Sequence, residues 1–302
     1  MPDSFGRSAD ADDLDLSSEL VSVPGGTAER QIMKMKRVLK YPGSKWNIAK
    51  DIVALIPEHK SYLEPFFGSG AVLFTKPPSK IETINDIDGD VVNLFECIRK
   101  DPERLARDVA ATPYAREEYD FAHGVTHVNS YERFERARLF LVKMWQGYGY
   151  RSNESKVGWK NDVQGRERAY ALAEWYRLPG AIMEAAERLR MVQIEHKPAL
   201  DLIEKFDFPN VFMYVDPPYV LSTRSQKQYA HEMYDEDHEV LLKALLRSSA
   251  KIMISGYESK LYNDYLHNWE KRQFSSCAEG GLPRTEIIWM NYHTEKQMSL
   301  FD

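Results

Sequence analysis

Asp216, Pro217, Pro218 and Tyr219 come directly after the apolar run VFMYV. Proline donates nothing to a sheet ladder, so the pair ends the strand and fixes the direction of the backbone. A carboxylate and an aromatic ring are thereby held in a stiff loop at the carboxyl end of a strand, where parallel α/β sheets place their ligands. Asp-Pro alone is an ordinary strand-ending turn; all four residues behind a strand describe a site. A second constellation is EPFFGSG, with Gly68 and Gly70 where a strand meets a helix and backbone can approach a ligand closely. It lacks the third glycine of a dinucleotide fingerprint. An acid at the end of the next strand strengthens it: Asp86 lies sixteen positions after Gly70, where a carboxylate can accept both hydroxyl protons of a ribose, and Asp88 competes for that role.

The elements that must position these residues follow from periodicity. NIAKDIVALIP has helical spacing of Ile48, Ile52, Val53, Leu55 and Ile56 and stops at Pro57. SYLEPFFGSG is a short strand running into a glycine turn, AVLF opens a helix, KIETINDID is a second strand ending in acids, and DVVNLFECIRK is again helical. Strand, glycine loop, helix, strand, acid is the start of a doubly wound α/β nucleotide-binding sheet. Further strands are expected at MVQIEH, VFMYVD, AKIMIS, RQFSSCA and TEIIWMNY, the last two forming an antiparallel hairpin at the sheet's edge. Between about residues 99 and 190 the pattern is helical, broken by the polar, glycine-bearing GYGYRSNESKVGWKNDVQG, which reads as a projecting hairpin or loop.

With 302 residues, 43% of them hydrophobic and 28% charged, the chain can bury a substantial core. It has no apolar run long enough to span a bilayer and no secretion-signal plan, and its two cysteines, Cys97 and Cys277, have no metal-ligand spacing; a cytoplasmic, metal-free protein is expected. The formal net charge of −6 argues at first against a polyanionic partner, but the charge is unevenly spread. Residues 1–30 carry a net −5 and read as a flexible acidic tail, whereas residues 133–190 hold twelve Arg/Lys against seven Asp/Glu. A basic insert can bind a phosphate backbone locally because screening limits the reach of distant charge to about 8–10 Å.

These pieces, with YPGSK before them and DPPY after, resemble in motif order as well as letters the α-group, Dam-like, site-specific DNA adenine-N6 methyltransferases. The resemblance covers roughly residues 38–292. It implies a Rossmann-like S-adenosylmethionine-dependent methyltransferase sheet with a mostly helical target-recognition insert. Residues 1–34 would form the tail, 35–98 and 191–294 the catalytic and donor-binding domain, 99–190 the recognition subdomain, and 295–302 a terminal tail. Residue by residue, it implies that Tyr41 and Lys45 contact S-adenosylmethionine, with Lys45 meeting its carboxylate. Phe67, Gly68 and Gly70 would line the donor, Asp86 would hold its ribose, and Asp216 would sit between donor and target base.

The chemistry of DPPY agrees with that reading. An adenine amino group is a poor nucleophile because its lone pair is delocalised into the ring, and acceptors aimed at its two N–H groups favour the pyramidal amine as positive charge develops. Asp216 and the Pro217 carbonyl supply those acceptors, and Tyr219 offers a face on which an extruded base can stack. Tyr229 and His238 are further candidates near the flipped base. The same loop suits cytosine N4, and a DNA-binding regulator without turnover is the reading from another class.

For the DNA itself, Arg151, Lys156, Lys160, Arg166 and Arg168 lie among Tyr148, Tyr150 and Trp159. The cations would position phosphates, while Arg151, Ser152 or Asn153 would reach base edges. The Dam-type recognition pattern is only partly present here, so a GATC target does not follow. The terminal EKQMSLFD resembles the short peptide by which bacterial replication proteins bind the sliding clamp, with Gln297, Leu300 and Phe301 as its anchors.

Overall fold

The run VFMYV is buried at every position, as a strand covered on both faces must be. It forms β4 (Val211–Val215), the middle strand of a seven-stranded sheet ordered β3-β2-β1-β4-β5-β7-β6. The computed structural model describes residues 35–124, 131–149, 151–153, 155–161, 170–224, 227–277 and 283–294. Its other strands are β1 (Ser61–Glu64), β2 (Ile81–Asn85), β3 (Val192–Glu195), β5 (Lys251–Gly256), β6 (Glu270–Cys277) and β7 (Pro283–Met290). Strands β1 to β5 pair in parallel. β7 runs antiparallel between β5 and β6. The expected hairpin is present, with β6 alone at the edge.

Side chains alternate across β4, so the sheet has two buried faces. Phe212 and Tyr214 pack with Tyr62 and Met253 on one side, together with α1 (Ala49–Ala54), α2 (Ala71–Thr75) and α3 (Gly89–Lys100). Val211, Met213 and Val215 pack with Leu63 and Ile254 on the other, against α8 (Ala199–Lys205), α9 (Asp235–Arg247) and α10 (Lys260–Tyr265). This is the doubly wound arrangement, and it leaves the loops after β1, β2 and β4 gathered at the carboxyl edge of the parallel strands.

The helical segment comprises α4 (Pro102–Ala111), α5 (Arg116–Gly124), α6 (Arg133–Gln146) and α7 (Tyr170–Leu189). Leu105, Tyr119, Phe140 and Trp175 from these helices belong to the same buried cluster as Tyr62 and Phe212 of the sheet. A buried ion cluster adds to that attachment. Glu82 of β2 takes Lys76 Nζ at 2.5 Å and both terminal nitrogens of Arg188 of α7 at 2.5 and 2.8 Å. The helices are thus fastened to the sheet by packing and by a charge contact that tolerates little displacement.

Candidate active site

The parallel register of β4 and β5 pairs Val215 with Ile254, so the next residues along each strand, Asp216 and Ser255, become neighbours. Ser255 Oγ donates to Asp216 Oδ1 at 2.7 Å, and Lys45 Nζ donates to Oδ2 at 3.0 Å. Both oxygens keep acceptor capacity, since a carboxylate offers about four lone-pair sites. Asp216 and Pro218 face a cleft of ≈ 390 Å³ at the carboxyl edge of the sheet.

Lys45 reaches that corner from the YPGSK segment, which is tied to the glycine loop by Ser44 Oγ and Trp46 Nε1, 3.0 and 3.2 Å from Ser69 Oγ. Gly43 lies at φ 69°, and a Cβ there would stand 2.3 Å from Tyr229 Oη. The buried ammonium also lies 3.4 Å from Glu286 of β7 and 4.8 Å from the centre of the Tyr219 ring. Burial pulls the pKa of Lys45 down, but Asp216 and Glu286 more than offset it and hold the group well above the ordinary lysine value. In this structure Lys45 therefore serves the Asp216 carboxylate, a partner the sequence did not suggest.

Tyr219 differs from expectation. Its ring is 5% exposed, covered by Lys45 and by the edge of Tyr257 at 4.6 Å, and its hydroxyl donates to Glu286. In this conformation the Lys45 ammonium covers one face of the ring. Tyr229 is among the rings that do line the cleft, set edge-on to Tyr41 at 6.0 Å. His238 is a clear correction: it is buried within α9, with Nδ1 3.0 Å from Tyr262 Oη, and burial lowers its pKa to about 4. It is a core histidine because the helix turns it toward Tyr262 of α10 rather than the cleft.

On the opposite wall, Phe67 and Gly68 line the cleft directly, whereas Gly70 stands behind the loop as the residue preceding α2. Gly70 has φ 67°, and a Cβ on it would lie 2.3 Å from the Phe67 ring. Asp86 accepts the Gly68 N–H at 2.8 Å and the Asp88 N–H at 2.9 Å, tying the glycine loop to the end of β2. Burial pushes its pKa up to about 7. Asp88 caps α3 through the Asp90 N–H at 2.9 Å and accepts the Tyr41 hydroxyl at 3.0 Å. Both acids face the cleft. Glu64, also on the cleft wall, accepts the Tyr62 hydroxyl at 2.7 Å, and burial raises its pKa to about 8.

Ser255 and Glu286 were missed by sequence reading. Ser255 carries no local signal, because only strand register brings it to Asp216. Glu286 does carry one: it interrupts the strand TEIIWMNY just before an apolar run, and a carboxylate in a strand buried on both faces needs a charged partner.

The polar interruption in the helical segment folds back as a hairpin, with the Tyr148 N–H donating to Gly158 O and the Lys160 N–H to Gln146 O, each at 2.7 Å. α5 grips one arm through Tyr119 Oη to Val157 O at 2.6 Å and Asp120 to Lys156 at 2.8 Å. The tip meets the segment following DPPY. There the Ser152 N–H donates to Gln228 O at 3.0 Å, Ser152 Oγ accepts the Ala230 N–H at 3.0 Å, and Asn153 Nδ2 donates to Lys227 O at 3.0 Å. Asn153 Oδ1 accepts the Ser155 N–H, so both ends of this amide are engaged within the protein. Arg151 is half-buried and Lys156 is exposed. Arg166, Arg168, Tyr150, the acidic tail and Gln297, Leu300 and Phe301 lie outside the described residues.

Comparison with known proteins supplies the family. Over 289 residues the chain is 25% identical to the Type II methyltransferase M1.LlaDCHI of Lactococcus lactis subsp. cremoris, covering 87% of this chain and 98% of that protein. It is 25% identical over 267 residues to the Type II methyltransferase M.MjaIII of Methanocaldococcus jannaschii, covering 77% and 90% of the two chains. Against the DNA N-6-adenine-methyltransferase of Escherichia phage P1 it is 22% identical over 247 residues, 77% of this chain and 31% of the phage protein. The profile described as D12 class N6 adenine-specific DNA methyltransferase matches residues 41–276, from the YPGSK segment through the cleft and DPPY into β6. The chain belongs to the D12 class of N6 adenine-specific DNA methyltransferases.

Proposed function

We propose that this chain is a site-specific adenine DNA methyltransferase that transfers the methyl group of S-adenosyl-L-methionine to N6 of an adenine extruded from double-stranded DNA. The observation that carries the reading is the Asp216 carboxylate, held by Ser255 and Lys45 at the mouth of the cleft. The cleft fits the donor. Its volume of ≈ 390 Å³ is in the range of about 300–1,000 Å³ usual for small-molecule sites. Asp86 and Asp88 turn buried acceptors toward it, as a ribose diol requires, and Phe67 and Gly68 form a wall where backbone comes close. When bound, S-adenosylmethionine supplies a methyl group already activated on a sulfonium.

The remaining work belongs to the protein. Asp216 accepts one N–H of the adenine amine and the Pro217 carbonyl accepts the other, concentrating the lone pair on nitrogen. Pro217 and Pro218 hold that geometry, so little reorganisation is needed as the reaction proceeds. Tyr229, whose ring lines the cleft, supports the planar base beside Asp216. The methylated amine is strongly acidic, so Asp216 need not be a strong base. Arg151, Lys156, Lys160 and Arg166 are proposed to meet DNA phosphates, with Asn153, expected from sequence as a further DNA contact, holding the hairpin tip against the segment after DPPY. Cytosine-N4 transfer and a regulator without turnover are not favoured by a profile specific to N6-adenine enzymes.

Expression in a methylation-free host, followed by sequencing that detects modified bases, tests the reading. N6-methyladenine at a fixed sequence is expected; unmodified DNA, or a mark at cytosine N4, would overturn it. Asp216→Ala is expected to abolish transfer while sparing DNA binding. No helix among the described residues is long and apolar enough to cross a membrane, which accords with the proposed cytoplasmic location. The proposed clamp peptide is tested by deleting residues 297–302: unchanged affinity for the clamp removes it.

A further inference from the structure

The catalytic corner contains two carboxylates and one ammonium. Lys45 Nζ stands 3.0 Å from Asp216 Oδ2 and 3.4 Å from Glu286 Oε1, and all three groups are largely withdrawn from water. Glu286 is 4% exposed; burial raises its carboxyl pKa above the ordinary value, against which the Lys45 ammonium and the Tyr219 hydroxyl it accepts favour the ionised form. The phenols of Tyr214, Tyr219 and Tyr229 around Lys45 bring no charge at neutral pH, and Glu64, which faces Asp216 across the cleft wall, is held protonated up to about pH 8 by burial. Glu286 belongs to β7, the antiparallel strand remote in sequence from the DPPY loop, yet it touches both Lys45 and the tyrosine of that loop.

We infer that Glu286 is a positioning residue for methyl transfer, sharing the Lys45 ammonium with Asp216 and leaving the corner with one surplus negative charge. The inference rests on the functional reading above. An Asp216–Lys45 pair by itself would be neutral, and a carboxylate whose charge is cancelled by an ammonium is a weak acceptor for an amine N–H. In the reaction the amine lone pair forms the N–CH₃ bond while the S–CH₃ bond breaks and its electron pair stays on sulfur. The positive charge passes to nitrogen beside Asp216, and the amine then releases a proton to solvent. A second carboxylate on the far side of Lys45 restores the attraction that this arriving charge requires, and in a poorly solvated corner such attraction is weakly screened.

Glu286→Gln removes the charge while keeping the length of the side chain and an acceptor for Tyr219. For this variant kcat for DNA methylation should fall about 10- to 100-fold with the KM for DNA little changed. S-adenosylhomocysteine, measured by calorimetry, should bind within about threefold of wild type because the fold and cleft persist. A readout independent of turnover is the Lys45 amine followed by ¹⁵N NMR, which should lose its proton at lower pH in the variant. Glu286→Asp keeps the charge and should hold kcat within about fivefold of wild type. A Gln variant with wild-type kcat and an unmoved Lys45 titration overturns the inference. So does an Asp variant as slow as the Gln variant or, if the Gln protein does not fold, an Asp variant slowed more than about 100-fold. None of these results touches the assignment as a methyltransferase, which fails only if the wild-type protein leaves DNA unmodified.

Discussion

Ser255 donates its hydroxyl to Asp216 Oδ1 at 2.7 Å across two neighbouring parallel strands, and both the donor and the strand that carries it are buried. The bond restrains rotation of the carboxylate about its own axis. Ser255→Ala frees that rotation at a stability cost of about 1 kcal/mol. The single-turnover methylation rate should fall about 5- to 20-fold, since a misaligned acceptor loses much of its benefit. Rapid-quench assays with pre-bound donor and duplex check this.

Gly70→Ala tests the turn between β1 and α2. The residue occupies φ 67°, and its new Cβ would lie 2.3 Å from one phenylalanine ring and 2.8 Å from another. Strain of this kind costs about 1–3 kcal/mol, and the ring it displaces, Phe67, lines the cleft. Urea unfolding should show the loss of stability, and calorimetry with S-adenosylhomocysteine should show binding weakened at least about tenfold.

Much of this was readable beforehand. VFMYV declared a strand, the glycines a turn, and DPPY a rigid acidic loop, because each depends on residues close in sequence. What could not be read depends on strands meeting across long stretches of chain. Ser255 and Glu286 reach Asp216 and Lys45 only through register, and Tyr219 is turned inward because Glu286 accepts its hydroxyl. His238 misled for a related reason: its position after DPPY is local, but the face of α9 it occupies is set by packing against Tyr262 of α10. Asn153 has the composition of a base reader, yet its amide is committed to Lys227 O and the Ser155 N–H.

Asp86 and Glu64 predict how stability varies with pH. Burial raises the Asp86 pKa from 3.8 to about 7 and the Glu64 pKa from 4.5 to about 8. Below their unfolded values both are protonated in either state and carry no penalty. As pH rises, the unfolded chain releases these protons first, so the stability they contribute is progressively lost and is gone once pH passes the folded values. Thermal melting of the donor-free protein should therefore show a downward contribution between about pH 4 and 8, and Asp86→Asn should flatten it.

Glu82 holds Lys76 and Arg188 where water does not reach. Glu82→Gln leaves two buried cations without a counter-charge, and breaking such a cluster costs about 3–5 kcal/mol. Urea titration should show a lowered midpoint with an unchanged slope. A midpoint close to wild type would mean that solvent enters this junction.

β7 is the seventh strand in chain order but occupies an interior lane of the sheet, and it carries Glu286. On the ribosome, β5 and β6 emerge with a gap between them that only β7 can fill. Until it does, β6 has no ladder partner and Lys45 faces Asp216 without its second counter-ion. The catalytic corner is therefore expected to become competent only when β7 has seated between β5 and β6.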